Sequence, residues 1–167
     1  TVVVGYKKEQ VMKFLNAYPI PIKVVIQEKQ LGTFHALSCA KNEVTADRLL
    51  ILPGDNYVTA ASLKALLQER NAALVAPHSR PWDYGVITQE DGFLCSTNMR
   101  AFDAPSGSLV ETGVYLLERP LYSAFFALEN PDDIVNEMDY NGQNVRVVEA
   151  KDWYDADCFA DFLELNR

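Results

Sequence analysis

The chain has 167 residues, of which 49% are hydrophobic, and its formal net charge is -8. These values predict a folded domain with a sizeable core and exclude an intrinsically disordered chain. They also argue against a nucleic-acid partner, because a basic surface normally supplies the affinity for phosphate backbones. An acidic small-molecule substrate stays possible if a divalent cation neutralises its charge.

The first half alternates short apolar strands with helices, which indicates a parallel, doubly wound sheet. Four residues of the first helix are predicted to face the core: Val11, Met12, Phe14 and Leu15. The predicted strands are residues 1–4, 23–26, 49–52 and 73–76, and the predicted helices are residues 8–15, 32–40 and 60–69.

The second half is predicted to be rich in hairpins and loops. Strands at 85–89 and 93–95 flank Glu90-Asp91-Gly92, which is a hairpin signal. Residues 132–143 are predicted to form a helix or lid followed by a turn. Further strands are predicted at 112–116 and 144–149, and further helices at 122–128 and 159–165.

The cysteines and the apolar runs bear on location. Cys39, Cys95 and Cys158 are odd in number and widely spaced, which favours reduced thiols in the cytoplasm. No apolar run approaches the roughly 20 residues of a membrane span, so no membrane partner is expected. The first ten residues also lack the pattern of a signal peptide.

Asp55 is the first candidate for a chemical role. It follows an apolar run that stops at Pro53-Gly54. A helix N-cap is the alternative role, but Thr59 directly precedes the next predicted helix and suits that position better. Asp55 is then left at the carboxyl end of a predicted central strand, where open α/β sheets bind ligands. We therefore favour a metal-binding role for Asp55.

A second candidate segment runs from Gln27 to Thr33. A predicted strand ends in Gln27, and Gly32 and Thr33 open a helix whose free N–H groups favour anions. The amides of Gln27 and Gln30 each carry a donor and an acceptor that can match a pyrimidine edge. From spacing alone, a polar loop with a capping glycine is the preferred interpretation.

Asp155 and Asp157 form a third candidate. If their segment is extended, the two side chains point to opposite sides, so one of them could meet Asp55 across a metal ion. Two carboxylates completed by water and substrate phosphates are typical of Mg²⁺. The alternative is that both acids favour the dipole of the helix predicted at 159–165.

Two further residues are weaker candidates. Arg100 follows the predicted hairpin and could hold a phosphate with two hydrogen bonds, although a solvated surface arginine is more common. Gly85 could let the backbone approach a ligand closely, although a tight entry into the strand is the preferred interpretation.

Six segments in order resemble the sugar-phosphate nucleotidyltransferases, the uridylyl- and thymidylyltransferases that make nucleotide-sugars. The resemblance extends over the whole chain and implies a Rossmann-like, doubly wound mixed α/β sheet. The segments are VVVGYKKEQVMKFL, QEKQLGTFHAL, LLILPGDNYV, YGVI with EDG, ETGVYLL and DWYDADCFADFLELNR.

The resemblance implies a role for each candidate. Asp55 and either Asp157 or Asp155 match the ligands of Mg²⁺, and the alignment is ambiguous between the last two. Residues 1–80 would bind the nucleotide and residues 81–167 the sugar phosphate within one domain. The base-binding segment is matched by Gln27, Gln30, Gly32 and Thr33, and the sugar-phosphate site by Gly85, Arg100, Thr112 and Gly113.

The chain departs from the family pattern in two places. Arg100 falls where the family has the lysine of a Glu-Lys-Pro motif, but Met99 and Ala101 replace the flanking residues, so sugar recognition could differ. The family also begins with a strand and a glycine-rich phosphate loop, whereas no G-x-G occurs here. The resemblance thus implies an N-terminally truncated domain that has open sheet edges. We expect a rearranged sheet or a homodimer that covers the gap.

The resemblance implies transfer of a nucleotidyl group from UTP or dTTP to a sugar-1-phosphate, with release of pyrophosphate. Without the glycine-rich loop, these residues alone are expected to be very slow. The alternative is a degenerate, non-catalytic domain of the same fold that binds a nucleotide, a sugar or a partner protein.

Overall fold

The computed structural model describes residues 1–99, 101–127 and 144–156. Short 3₁₀ turns lie at Lys41–Glu43 and Pro81–Asp83. The helices of this part of the chain are α1 (Lys8–Asn16), α2 (Thr33–Ala40), α3 (Ala60–Leu66) and α4 (Arg119–Phe126). Its strands are β1 (Val2–Val4), β2 (Val24–Ile26), β3 (Arg48–Ile51), β4 (Asn56–Val58), β5 (Ala72–Pro77), β6 (Val86–Glu90), β7 (Phe93–Asn98), β8 (Leu109–Glu118), β9 (Arg146–Glu149) and β10 (Trp153–Asp155).

Six strands form the main sheet in the order β3-β8-β5-β9-β7-β6. Only β5 and β9 are parallel neighbours within it, and the other adjacent pairs are antiparallel. The mixed α/β sheet expected from the resemblance is therefore confirmed. The purely parallel sheet predicted for the first half is wrong, because the ten-residue strand β8 inserts antiparallel between β3 and β5.

Strand β3, which leads to Asp55, lies at the edge of this sheet and not at its centre. Among the described strands it pairs only with β8. Leu49 and Leu50 are consequently half-buried, whereas Ile51 is buried. The apolar run predicts a strand correctly, but it does not reveal how many neighbours that strand has.

The N-terminal strands β1 and β2 form a separate parallel pair. Helix α2 joins this pair to the main body. Leu37 packs against the core, and the ring of Phe34 meets the ring of Phe125 edge to face with centroids 4.8 Å apart. The β1–β2 pair thus lies apart from the six-stranded sheet, while the rearranged sheet and the homodimer stay predictions.

The core lies on both faces of β5. Successive residues of a strand point to opposite faces, so Ala73 and Val75 enter one apolar cluster while Ala72 and Leu74 enter the other. Every residue from Ala72 to Ala76 is buried. A strand that is apolar at every position is typical of a sheet covered on both faces.

Helix α1 buries none of its residues. Phe14 is 65% exposed and Val11 is 39% exposed, so the prediction that these two side chains face inward is wrong. The helical period identifies the apolar face of α1, but it cannot tell whether a neighbouring element covers that face. An ion pair between Lys8 and Glu28 fastens α1 to the segment after β2.

Local turn and cap signals are confirmed. Asp91 and Gly92 have φ angles of 51° and 78° and form the two-residue turn between β6 and β7. The side chain of Thr59 accepts a hydrogen bond from the backbone N–H of Ser62 and caps α3. The predicted lid at 132–143 and the predicted helix at 159–165 lie outside the described residues. Within the described ranges, no helix is long and apolar enough to cross a membrane.

Candidate metal and sugar-phosphate site

Two distant segments meet directly after the carboxyl end of β3. Strands β4 and β10 form an antiparallel ribbon in which Asn56 lies opposite Asp155. The ribbon is extended at its end by a hydrogen bond from the backbone N–H of Ala156 to the carbonyl oxygen of Asp55, at 3.1 Å. The ribbon therefore places Asp55 and Asp155 side by side, although they lie about one hundred residues apart in the sequence.

The amide of Asn56 links the two carboxylates. Its Nδ2 donates to Oδ1 of Asp155 at 2.8 Å and lies 3.3 Å from Oδ1 of Asp55. The two carboxylate oxygens therefore lie no further apart than the sum of these two distances. The segment that ends at Asp155 is extended, since β10 ends there. The alternative role at a helix start depends on residues outside the described part of the chain.

This donor set fits a hard divalent cation. Mg²⁺ uses oxygen ligands at about 2.0–2.1 Å and is usually held by one or two carboxylates, with water and phosphate oxygens completing the shell. No three carboxylate, histidine or cysteine side chains form a complete metal cage within residues 1–99, 101–127 and 144–156. Asp55 and Asp155 are thus suited to a cation that is also coordinated by a phosphorylated substrate.

Both carboxylates border a cleft of about 220 Å³. Strand β8 lines its opposite wall with Glu111, Thr112 and Gly113. Three residues of β8, 112–114, lie against the single residue Leu74 of β5, which makes a bulge. The hydroxyl of Thr112 donates to the carbonyl oxygen of Leu74 at 2.7 Å and so fixes the bulge. Bulges often direct side chains towards binding sites.

Gly113 is required by the geometry of this bulge. Its φ angle is 73°, a conformation that side chains disfavour. A β-carbon at this position would also lie 2.8 Å from Cγ of Pro53, two residues before Asp55. The bulge of β8 and the loop that carries Asp55 are therefore packed directly against each other.

Gly85 also lines the cleft and has close neighbours on every side. A β-carbon there would lie 2.4 Å from Cγ2 of Thr97, 2.8 Å from Sδ of Met99 and 2.9 Å from Oε1 of Glu111. Protein side chains, among them the carboxylate of Glu111, thus approach the backbone at Gly85 closely. A close approach to a ligand at Gly85 stays a prediction. Oε2 of Glu111 accepts a hydrogen bond from the hydroxyl of Tyr115 at 2.8 Å, which orients the carboxylate.

Three aromatic rings support the ribbon beside the cleft. The rings of Tyr84 and Trp153 meet edge to face with centroids 5.5 Å apart, and His78 lies 4.6 Å from Tyr84 and 6.2 Å from Trp153. The indole N–H of Trp153 donates to Oδ1 of Asn56 at 2.7 Å. The aromatic cluster thus fixes the amide that links the two aspartates.

The predicted base-binding residues form a separate group at the carboxyl end of β2 and the start of α2. Gln27 is 8% exposed, and its Nε2 contacts the carbonyl oxygen of Gly32 at 3.1 Å and Nδ1 of His35 at 2.9 Å. Its donor therefore holds the beginning of α2. Gln30 and Thr33 are exposed. A base-binding role for these residues stays a prediction.

Two predicted site residues, Arg100 and Asp157, lie outside the described residues. Of the two candidates for the second metal ligand, only Asp155 is among the described residues, and it lies beside Asp55. Asp157 stays a prediction. The neighbouring residue Met99 is 56% exposed at the rim of the cleft.

A polar pair lies at the other end of β8. Arg70 donates from Nε and Nη2 to the two carboxylate oxygens of Glu118 at 3.0 and 2.9 Å. These hydrogen bonds lower the pKa of Glu118 below its ordinary value and raise the pKa of Arg70. The pair joins the residue before β5 to the end of β8 and lies apart from the cleft.

Sequence reasoning missed three residues of the site. Asn56 and Trp153 carry no catalytic signature, but each adjoins a predicted ligand: Asn56 follows Asp55, and Trp153 lies two positions before Asp155 and thus on the same face of β10. Glu111 begins the quoted segment Glu-Thr-Gly, in which only the next two residues were assigned a role.

The sequence model of the nucleotidyl transferase family matches residues 4–167. The chain belongs to this family. It is 32% identical over 130 residues to the bifunctional protein GlmU of Methanococcus maripaludis, and it is 40% identical over 101 residues to GlmU of Caldicellulosiruptor saccharolyticus. These matches cover 77% and 54% of the chain but only 30% and 21% of the two relatives.

Solved structures show the same fold. The inositol-1-phosphate CTP transferase of T. maritima aligns with a TM-score of 0.77 at 20% identity, covering 95% of this chain and 70% of that one. A UDP-glucose pyrophosphorylase from Acinetobacter baumanii aligns with a TM-score of 0.71 at 18% identity, covering 95% and 65%. The Rossmann-like fold of the nucleotide-sugar transferases is thereby confirmed.

Proposed function

We propose that this chain provides the cation site and the sugar-phosphate site for nucleotidyl transfer from UTP or dTTP to a sugar-1-phosphate. The observation that carries the proposal is the meeting of Asp55 and Asp155 across Asn56, at the mouth of the cleft that Glu111 and Gly113 line. Membership of the nucleotidyl transferase family supports the reaction class.

In this reaction an oxygen of the sugar-1-phosphate attacks the α-phosphorus of the triphosphate. A new phosphorus–oxygen bond forms while the bond to the bridging oxygen breaks, and pyrophosphate leaves with its electron pair. No protein nucleophile is needed, so positioning and electrostatics supply the catalysis. Asp55 with Asp155 or Asp157 would hold Mg²⁺, which would supply charge neutralisation at the phosphate oxygens.

The remaining residues would position the two substrates. We assign the nucleotide to residues 1–80, with Gln27 and Gln30 at the base and Gly32 and Thr33 at the N-terminus of α2. We assign the sugar phosphate to residues 81–167, where Thr112 and Gly113 of the bulge line the cleft. Gly85 would shape the sugar pocket, and Arg100 would hold the attacking phosphate.

We further propose that residues 1–167 by themselves turn over slowly in the cytoplasm. They contain no G-x-G phosphate loop, and one donor to developing charge is worth about 3–4 kcal/mol. The exposed apolar face of α1 and the separate β1–β2 pair favour a homodimer, which light scattering during size-exclusion chromatography would reveal.

Pyrophosphate release tests the proposal. The assay contains Mg²⁺, UTP or dTTP and a panel of sugar-1-phosphates, and it compares the wild type with Asp55→Asn and Asp155→Asn. The matched control is Asp47→Asn, which removes one charge from a 93% exposed carboxylate that pairs with Arg119. Slow turnover that both site variants abolish and the control retains supports the enzyme.

The other outcomes contradict the enzyme. Calorimetry that shows binding of UTP or a sugar-1-phosphate without turnover would identify the non-catalytic binding domain of the same fold. Neither turnover nor binding of these ligands would reject both functions and leave a structural role.

A further inference from the structure

Asn56 is the meeting point of the two aspartates and an indole ring. Its Nδ2 faces Oδ1 of Asp155 at 2.8 Å and Oδ1 of Asp55 at 3.3 Å, while its Oδ1 accepts from Nε1 of Trp153 at 2.7 Å. Both ends of the amide are therefore engaged. Asn56 is half-buried, and so are Asp155 and Trp153.

The indole N–H determines which way the amide points. The two ends of an asparagine amide are similar in shape, but one only donates and the other only accepts. An indole nitrogen can only donate, so it requires the amide oxygen on its own side. A reversed amide would place N–H groups against the indole N–H of Trp153 and its oxygen against the carboxylates of Asp55 and Asp155. Both contacts would be repulsive.

The indole ring is itself held in place. Its edge-to-face contacts with Tyr84 and His78 fix the plane of the ring, and such contacts add about 0.5–1.5 kcal/mol to burial. In addition, backbone pairing fixes Trp153 opposite Val58 in the ribbon. The direction of the N–H bond is therefore set by the fold and not by Asn56.

We propose that Asn56 and Trp153 are a positioning pair that holds the two aspartates in a geometry ready for a divalent cation. This inference rests on the proposed function. Two neighbouring carboxylates repel each other, and the donor end of an amide between them offsets that repulsion before a cation arrives. An amide nitrogen does not coordinate a cation, so the orientation set by Trp153 leaves coordination to the carboxylates of the site.

Each carboxylate has enough lone pairs to accept from the amide and to coordinate a cation at the same time. The hydrogen bonds of Asn56 can therefore persist when the cation binds. Residues that orient metal ligands in this way typically contribute 10–100-fold to metal affinity. Trp153 contributes only through Asn56, which distinguishes its role from that of a general packing residue.

The test measures binding of Mn²⁺ alone by electron paramagnetic resonance, in which the signal of the free ion disappears on binding. We expect Asn56→Ala to weaken Mn²⁺ binding about tenfold or more. The matched control Asn16→Ala lies at the exposed end of α1 and is expected to change nothing.

The pairing itself is tested by a double-mutant cycle. Trp153→Phe keeps an aromatic ring but removes the N–H, and we expect it to weaken Mn²⁺ binding severalfold in the wild type and not at all in Asn56→Ala. Trp82→Phe is the matched control, since Trp82 is the other tryptophan and lies outside the aromatic cluster. Equal effects of Trp153→Phe in both backgrounds would overturn the pairing.

The results separate this inference from the proposed function. If the wild type does not bind Mn²⁺, or if Asp55→Asn binds it equally well, the proposed cation site is wrong and this inference is wrong with it. If Asp55→Asn abolishes binding while Asn56→Ala binds Mn²⁺ as the wild type does, only the positioning role is wrong. Circular dichroism of each variant confirms that the ribbon variants are folded.

Discussion

Gly113 lies directly against Pro53, so that a β-carbon added to the glycine would lie 2.8 Å from Cγ of the proline. This contact joins the bulge of β8 to the loop that carries Asp55. Because Gly113 also has a φ angle of 73°, the position combines two constraints that a side chain would violate.

Gly113→Ala is therefore expected to be strongly destabilising. A side chain at positive φ costs about 1–2 kcal/mol, and overpacking adds about 1–3 kcal/mol. Urea denaturation measures the change in the free energy of unfolding. Gly107→Ala is the matched control, because Gly107 has a φ angle of 89° but no atom within 4 Å of an added β-carbon. An equal loss in both variants would contradict a role for the Pro53 contact.

Gly85→Ala is expected to destabilise the protein by about 1–3 kcal/mol through overpacking against Thr97. Thr97→Ser removes the methyl group that lies 2.4 Å from the added carbon, so the double variant should recover part of this loss. The control is Gly54→Ala, where an added carbon meets nothing within 4 Å. That substitution should instead stabilise the protein by about 0.4–1 kcal/mol, because alanine restricts the unfolded chain. Urea denaturation of Gly85→Ala, Thr97→Ser, the double variant and Gly54→Ala measures these changes in the free energy of unfolding.

Gln27→Glu tests whether the buried amide holds the start of α2. A carboxylate cannot donate to the carbonyl oxygen of Gly32, so the free energy of unfolding should fall by about 1–3 kcal/mol. Gln30→Glu makes the same chemical change at an exposed position and should stay within about 0.5 kcal/mol. Thermal unfolding followed by circular dichroism gives both values. A larger loss of stability in Gln30→Glu than in Gln27→Glu would contradict a stabilising role of the Gln27 amide at the start of α2.

Glu118→Gln should produce a pH-dependent loss of stability. Hydrogen bonds from Arg70 lower the pKa of Glu118 from its ordinary value of 4.5. The stabilisation is therefore present above that value and is lost as pH falls through the lowered pKa of the folded protein. The difference in unfolding temperature between wild type and variant should be constant from pH 7 to about pH 5 and should vanish in more acidic solution. Persistence of the difference at pH 2 would exclude this carboxylate as its source.

Much of the local structure could be predicted from the sequence, because its causes are local. Asp91 and Gly92 determine a two-residue turn, and Thr59 caps α3 with its own side chain. These features depend on residues within a few positions of one another.

The features that could not be predicted depend on distant pairing. Nothing near Asn56 indicates that it faces Asp155, since the pairing of β4 with β10 joins residues 99 positions apart. The edge position of β3 depends in the same way on β8. The exposure of Phe14 depends on what covers α1. The family resemblance supplied Asp55 with either Asp157 or Asp155 as partners, but it did not supply the amide and the indole that connect Asp55 to Asp155.

The ribbon of β4 and β10 keeps the separation of Asp55 and Asp155 independent of changes elsewhere in the chain. Both acidic residues belong to a single small unit whose strands are bonded to each other, so a displacement of this unit carries the pair along without altering their separation. The long intervening stretch of chain and the walls of the cleft can then diversify while the spacing of the two acids is kept.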